Sequence, residues 1–390
     1  MGGLRRPSAR PLRLRPSRRY PSAGLTSAVQ SRAAKGETPA LKLGILLGDD
    51  IGHEVVPECV KVIKAAAART GLDIDWQPLP IGKHGHEQHG HTLPPSTEAA
   101  LRGLDGWIMG PIGHAAYPRG DATWVMPPVR KKFELYAALR PSRSFPDIAS
   151  VHKNVDIVFV RELSEGMLYS ETVIAGGPEF RPNDDITVAM RVITRKGSNR
   201  VAREAFELAR TRPRKKVTAA HKEPVYRLAC GMFAEECRKV AREFPAVTFE
   251  EAMIDTISMK LAMAPQQYDV VVTTNQFGDI LSDIGAGIVG GLGLAPGLCV
   301  GERQAMAQAT HGSAPDIAGR NIANPYAMIV SGQMLLAWLG RKRNEPKAVD
   351  AAKLIAAAVE KIIGEARHLT RDLGGSASTQ QMGDAIAAAV

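Results

Sequence analysis

The chain has 390 residues, 44% of them hydrophobic and 23% charged, and a formal net charge of +10. That length and apolar content can bury a large core and suggest two domains, while no apolar stretch approaches the length of a membrane span. The charge would suggest a nucleic-acid partner, but residues 1–36 hold eight Arg, one Lys and no acid, so nine of the ten excess charges sit at one end and the rest has the balance of an ordinary enzyme.

In that basic stretch the arginines alternate with Pro7, Pro11, Pro16 and Pro21. Arg-rich, acid-poor composition matches a mitochondrial transit peptide, but such peptides work as amphipathic helices, and four prolines oppose one. Residues 1–37 are therefore expected to form a disordered basic extension. Translated upstream sequence and a basic RNA-binding arm are the alternatives. Cys59, Cys230, Cys237 and Cys299 show no paired CxxC spacing and read as reduced core residues. A cytoplasmic location is expected, or a mitochondrial one if residues 1–36 are a transit peptide.

Residues 41–47 read as a first strand, and Gly48-Asp49-Asp50-Ile51-Gly52-His53-Glu54 as the turn into a helix ending near Ala68. A glycine-bearing strand-to-helix turn can present backbone N–H groups to a dinucleotide, though alone it is a weak signal. His84, His86, His89 and His91 follow in a Gly-rich segment without helical spacing, which predicts a solvated loop rather than a zinc or nickel site. Ser96 is expected to cap a short helix, and residues 106–113 read as a strand ending in a glycine turn. Arg130 and Arg140 bracket an apolar-rich segment, and Pro141 forces Arg140 into an extended exit. Residues 170–197 alternate polar and apolar, 199–209 read as a helix, and 216–220 as a strand leading to His221-Lys222-Glu223-Pro224. Helical patterning then dominates 325–339 and 350–367. Strands alternating with helices throughout make the chain α/β.

The most informative stretch is 268–283. Its apolar, β-branched run closes on Asn275 and Gly278, as a buried strand does when it feeds a turn and a helix. If that helix begins near Gly278, Asp279 and Asp283 share one face at i,i+4, close enough to share a ligand and too close to sit ionised without a cation. Two hard oxygen ligands suit magnesium or manganese. The plainer reading makes Asp279 a helix-capping residue and Asp283 a solvated acid. Downstream come Gly285, Gly287, Gly290, Gly291 and Gly293, then His311-Gly312-Ser313-Ala314-Pro315-Asp316-Ile317-Ala318-Gly319-Arg320-Asn321-Ile322-Ala323-Asn324-Pro325.

This succession of two long motifs resembles the metal-dependent β-decarboxylating dehydrogenases, the family of isopropylmalate, isocitrate, homoisocitrate, tartrate and D-malate dehydrogenases, from about Leu41 onward. The resemblance implies an isopropylmalate-dehydrogenase-like two-domain fold, with residues 41–138 plus 289–390 as a discontinuous cofactor-binding domain, 139–288 inserted, and an active-site cleft between them. It further implies a homodimer with shared sites. Metal would be held by Asp279, Asp283 and the other subunit's Asp255, and Lys222, also given across the interface, would be the catalytic base. Arg130, Arg140 and Arg161 would grip the carboxylates of a small 2-hydroxy dicarboxylate, because guanidinium groups bind carboxylates bidentately. His311, Gly312, Ser313, Ala314, Pro315, Asp316 and Asn324 would contact the dinucleotide. Asp316 favours NAD, since an acid near the ribose bonds its hydroxyls and repels a 2′-phosphate.

Several positions depart from the family pattern: Asp50 stands where a glycine is expected, His53 where a proline is, Gln308 where a glutamate is, and Leu168 where the catalytic tyrosine is. Tyr169 comes one residue later, and on an extended segment that shift sends a side chain to the opposite face. Either a local bulge returns Tyr169 to the pocket, or water handles protonation. The pocket for the substrate's third substituent is expected before Arg130, at Thr123, Met126 and Pro127, whose apolar character favours an alkyl or absent group, although the glutamate of isopropylmalate enzymes is missing at Thr123. The expected activity is NAD- and Mg2+- or Mn2+-dependent oxidative decarboxylation of the 3-isopropylmalate type, with tartrate or D-malate dehydrogenase as the alternative. A non-catalytic homologue or nucleic-acid-binding protein is the remote one. No nucleic-acid or membrane partner is expected.

Overall fold

The computed structural model describes residues 41–114, 117, 125–167 and 179–390, without the side chain of Pro127. The basic extension, Thr123, Leu168 and Tyr169 lie outside the described residues.

Ten strands form one mixed sheet in the order β2-β1-β3-β12-β11-β4-β5-β10-β8-β9. β1 (Leu41–Leu46), β2 (Ile74–Pro78), β3 (Gly106–Met109) and β12 (Ala305–Ala307) make one parallel block. β5 (Asp156–Glu162), β8 (Lys216–His221), β9 (Thr248–Met253) and β10 (Val270–Thr273) make a second. β11 (Leu298–Val300) and β4 (Ala137–Arg143) join them by antiparallel pairing. β6 (Glu179–Asn183) and β7 (Ile186–Ala189) form a separate antiparallel pair of mostly exposed residues. β10 is buried at all four positions because strands flank it on both edges and helices cover it, which is why its sequence is a continuous β-branched run.

Helices α1 (Gly52–Thr70), α2 (Gly82–His89), α3 (Pro95–Leu101), α4 (Met126–Lys132), α5 (Arg195–Thr211), α6 (Ala229–Ala241), α7 (Ile254–Met263), α8 (Asn275–Val289), α9 (Tyr326–Lys342), α10 (Pro346–Glu365) and α11 (Thr379–Ala389) pack around the sheet. The histidine-rich segment is α2 rather than a loop. Its first turn is capped from far away in sequence, where the Lys83 N–H donates to Asp49 Oδ1 at 2.7 Å, and the left-handed Gly90 (φ 72°) ends it. Ser96 caps nothing: Pro94 holds the cap position and Pro95 starts α3 with its fixed φ. The unforeseen α11 opens on a capping box, with Ser378 and Gln381 bonding each other's backbone.

What positions the site is the approach of α8 to β4 and β5. The helix starts at Asn275, one turn before the expected Gly278. A Cβ on Gly278 would stand 2.7 Å from the Arg161 Cβ, and one on Gly285 would collide with the Phe159 ring and stand 2.6 Å from Ser142 Oγ. The two glycines, seven residues apart, let the helix backbone lie directly on the strand face that carries Arg140 and Arg161. Gly287 on the same helix faces open space. Gly285→Ala is therefore expected to destabilise the protein by about 1–3 kcal/mol through overpacking. Gly287→Ala, which only gains helix propensity, should be neutral or stabilising by about 0.5–1 kcal/mol. Thermal or urea unfolding of the two variants measures the contrast, and equal effects would refute this account of the contact.

Candidate active site

Antiparallel pairing sets Arg161 opposite Ala138 and Arg140 opposite Phe159, so both arginines rise from one face under α8. Arg161 is almost wholly buried, with 3% of its side chain exposed. Its Nε and Nη2 donate to Asn275 Oδ1 at 3.0 and 2.7 Å, and its Nη1 donates to Asp279 Oδ1. Arg140 Nη1 donates to the same Asp279 oxygen at 3.1 Å and to Ser282 Oγ at 2.7 Å, and it stands 3.9 Å from Asp283 Oδ1. Asp279 and Asp283 thus share a helix face, as their spacing predicts, and neither caps the helix, which begins four residues before Asp279. Burial raises the Asp283 carboxyl above the usual range, with Arg140 working against it and Asp279 adding to it. Two half-exposed carboxylates beside two guanidinium groups form a site of alternating charge that can take both an anion and a cation.

Lys222 follows the last residue of β8, and its Nζ donates to Asp255 Oδ2 at 2.7 Å in the first turn of α7. That bond holds Asp255 below the usual carboxylate range. The buried His221 fixes the turn on both sides of Lys222. Its Nδ1 accepts from the Glu223 N–H at 3.2 Å, leaving Nε2 to donate to Glu251 Oε1 at 2.9 Å. Among the described residues, His221, Glu223 and Glu251 are the one group of three metal-capable side chains whose ligand atoms lie within 4.8 Å of one another. Arg238 already donates to Glu223 Oε2 at 2.6 Å and to Glu251 Oε2 at 2.9 Å, so a cation there would face a resident positive charge. Asp255 does not join Asp279 and Asp283 in such a group within one chain.

The 311–325 loop lies against the turn after β1: the Ile51 N–H donates to the Ser313 carbonyl at 3.2 Å, and the Gly319 N–H to Glu54 Oε1 at 2.6 Å. Asp50 has φ 49°, the left-handed region that a glycine would occupy and that Asp tolerates, so its departure from the family pattern preserves the turn. The neighbouring Asp49 carboxylate accepts from the Gly113 N–H and the Tyr117 hydroxyl, both at 2.8 Å, and ties this turn to the one after β3. Arg130, Arg140, Met126, Gln308, His311 and Gly312 help line one cleft of about 190 Å3. His311 Nε2 is buried there without a hydrogen-bond partner among the described residues, and burial lowers the pKa of its ring. Asp316 is exposed. Asn324 is buried, with its amide donating to Asp372 Oδ2 at 2.9 Å and its Oδ1 accepting from the Tyr326 N–H at 2.9 Å, so its side chain secures the loop instead of facing solvent.

The predicted residues therefore fall into three groups: arginines with Asp279 and Asp283, Lys222 with Asp255, and the 311–316 loop across a cleft from Arg130. Sequence reading missed Asn275 and Ser282 as partners of the arginines, and Asp49 as the tie between turns. Only Asn275 left a signal, as the residue closing β10.

Residues 42–386 match the isocitrate/isopropylmalate dehydrogenase family. The chain is 40% identical to the 3-isopropylmalate dehydrogenase of Archaeoglobus fulgidus over 346 residues, which cover 89% of this chain and 98% of the relative. It is 37% identical to the isocitrate/homoisocitrate dehydrogenase of Thermus thermophilus, with 90% of this chain and 99% of the relative covered. The crystal structure of isocitrate dehydrogenase from Methylococcus capsulatus superposes with a TM-score of 0.79 at 38% identity, covering 90% of this chain and 99% of that one. With the mixed sheet, the arginine pair under α8 and the 311–325 loop all lying inside the matched span, the chain belongs to the isocitrate/isopropylmalate dehydrogenase family of decarboxylating oxidoreductases.

Proposed function

We propose that this protein catalyses the NAD-dependent oxidative decarboxylation of a 2-hydroxy dicarboxylic acid of the 3-isopropylmalate type, as a homodimer whose two active sites each draw on both chains. The observation that carries the reading is the cluster of Arg140, Arg161, Asp279 and Asp283, which pairs anion-gripping forks with hard oxygen donors on one helix face. Residues 41–138 with 289–390 would be the cofactor-binding part and 139–288 the inserted part.

The donor set fits a divalent cation of the Mg2+ or Mn2+ class, because carboxylate oxygens are its preferred ligands. Asp279 and Asp283 would supply two and Asp255 of the partner subunit the third, since one chain does not gather all three. Exposed apolar side chains support such pairing: Val225 and Leu228 beyond Lys222, Met259 and Met263 on α7, and Ile280 on α8 all face solvent in the single chain. For the dinucleotide, the unpartnered His311 Nε2 and the exposed Gly312, Pro315 and Asp316 fit a polar ligand on the cleft wall. When bound, the ion supplies Lewis acidity and NAD accepts a hydride.

The chain's own residues do the rest. Arg130, Arg140 and Arg161 bind and orient the two carboxylates, as rigid forks do better than lysines. Lys222 takes the hydroxyl proton onto Nζ, with Asp255 and the His221 turn holding it in place. Reprotonation after loss of carbon dioxide falls to Tyr169 or to water. The Met126 and Ile112 walls beside Arg130 favour an alkyl substituent over a third carboxylate. Turnover with Mg2+ or Mn2+, NAD and a panel of 3-isopropylmalate, isocitrate, homoisocitrate, tartrate and D-malate tests this, with 3-isopropylmalate expected to give the highest kcat/KM. Faster turnover of tartrate or D-malate would move the assignment to those acids. A cytoplasmic location goes with this reading.

Asp316→Lys is expected to lower kcat/KM for NAD about tenfold and to raise it for NADP, since it exchanges repulsion of a 2′-phosphate for attraction. Steady-state kinetics with both cofactors measures it. Equal changes for the two would show that Asp316 does not read the ribose.

A further inference from the structure

Directly after Arg161 the chain carries a pair of acids that the proposed chemistry does not use. Glu162 is 2% exposed and Glu165 4%. Both oxygens of Glu162 face donors. Oε1 accepts from the Ser164 N–H at 2.7 Å and from the Ser164 hydroxyl, and Oε2 accepts from the Glu165 N–H at 3.0 Å. A neutral carboxyl or an amide at 162 would turn a donor toward backbone N–H groups that can only donate. Glu165 is placed differently: Oε1 accepts from the Thr194 N–H at 2.8 Å, but Oε2 meets the Thr194 hydroxyl at 2.6 Å, a rotor that can give or take a hydrogen.

The turn built on Glu162 has a job. The Glu165 carbonyl accepts from Asn275 Nδ2 at 2.9 Å, and the Oδ1 of the same amide holds Arg161 Nε and Nη2. Asn275 is fully buried, so its amide cannot turn away into water. The turn also leads into Gly166, which bridges Val192 at the base of the β6–β7 pair.

We infer that Glu162 is a positioning residue for the substrate-binding Arg161: its carboxylate centres the turn whose carbonyl fixes Asn275, and Asn275 aims the Arg161 guanidinium. This rests on the reading of Arg161 as a carboxylate grip. The titratable and charged groups around the pair are Arg161 on β5, Arg200 on α5, which bonds Ser164 Oγ and stacks 4.8 Å over the Tyr136 ring, and Glu204 on α5, which accepts from the Tyr136 hydroxyl. Burial first and the charge of Glu165 second push Glu162 up to about 7, and burial also raises Glu165. A raised acid is ionised above that value and protonated below it. Lowering the pH through about 7 therefore protonates Glu162 and slackens the turn.

The test is steady-state kinetics of the full chain from pH 6 to 8.5 with NAD, Mg2+ and the best 2-hydroxy diacid of the panel. In the parent protein, KM for the diacid should rise as pH falls below about 7, with KM for NAD unmoved. Glu162→Gln should raise the diacid KM roughly tenfold or more at pH 8 and flatten its pH dependence, with a smaller change in kcat. Glu165→Gln, whose amide can donate to Thr194 Oγ1, should change KM less than threefold. Asn275→Ala, which leaves the turn intact but cuts the link, should match Glu162→Gln in KM and keeps the question answerable if Glu162→Gln does not fold. Arg161→Lys separates the two levels: an unchanged diacid KM in that variant would refute Arg161 as the grip. A large KM rise in Arg161→Lys together with none in Asn275→Ala or Glu162→Gln would overturn the positioning role alone. Equal KM effects of the Glu162 and Glu165 substitutions would overturn the specific role of Glu162 in the turn.

Discussion

Asp279→Asn or Asp283→Asn is expected to lower metal-dependent turnover at least a thousandfold while leaving the protein folded. Each change removes one negative charge from the proposed divalent-ion site without altering side-chain size, and a metal-stabilised step loses several kcal/mol when its ion is lost, at about 1.4 kcal/mol per factor of ten. The two variants should differ in stability. Asp279 accepts from both Arg140 and Arg161, and Arg161 is nearly desolvated, so Asp279→Asn keeps an acceptor oxygen but leaves two guanidinium groups less well neutralised. Asp283 approaches only Arg140, at 3.9 Å, and the Asp283→Asn variant should unfold at the parent temperature. Turnover across a Mg2+ and Mn2+ titration, with circular dichroism to follow the fold, gives the answer. Near-normal activity of both variants at ordinary metal concentrations would remove the carboxylate pair from the metal assignment.

Mixing Lys222→Ala chains with Asp279→Asn chains, each inactive alone, should restore activity. Lys222 pairs with Asp255 and not with Asp279 or Asp283 inside the chain, and the proposed shared site takes the first pair from one copy and the second from another. After random exchange half the dimers are mixed, and each mixed dimer holds one site free of both lesions and one with both. Recovery should therefore approach about a quarter of parent activity per site. Subunit exchange has to be shown separately, for instance by mass measurement of differently tagged chains. Complete exchange with no return of activity would mean that each site is built within a single chain.

Much of the candidate site was legible in the linear sequence. The β-branched run of β10, the i,i+4 acids after it, the strand that delivers Lys222 and the glycine-spaced loop from His311 each occupy a few neighbouring residues, and local spacing determines which helix face or strand end they take. The resemblance to a family then rested on motifs within single segments, and the matched span carries all of them.

Only the tertiary structure decided how those pieces are held. Arg161 meets Asn275 across 114 positions, and Asp49 caps a helix 34 residues on and bonds Gly113 and Tyr117 across 64 and 68. No local pattern announces such contacts, because sheet order brings them together. The histidine-rich segment became a helix for the same reason: its own residues supply no cap, and a remote carboxylate does. Likewise the glycines of α8 looked like turn signals, and their spacing acquires a purpose only once the helix lies on Phe159 and Arg161. By itself the sequence determined which groups the protein can use, since side-chain chemistry and short-range spacing are written in it. Which charges neutralise one another, and that one chain keeps Asp255 apart from Asp279 and Asp283, was decided by the packing of α8 and α7 against the sheet, because burial and distance between remote residues exist only in the fold.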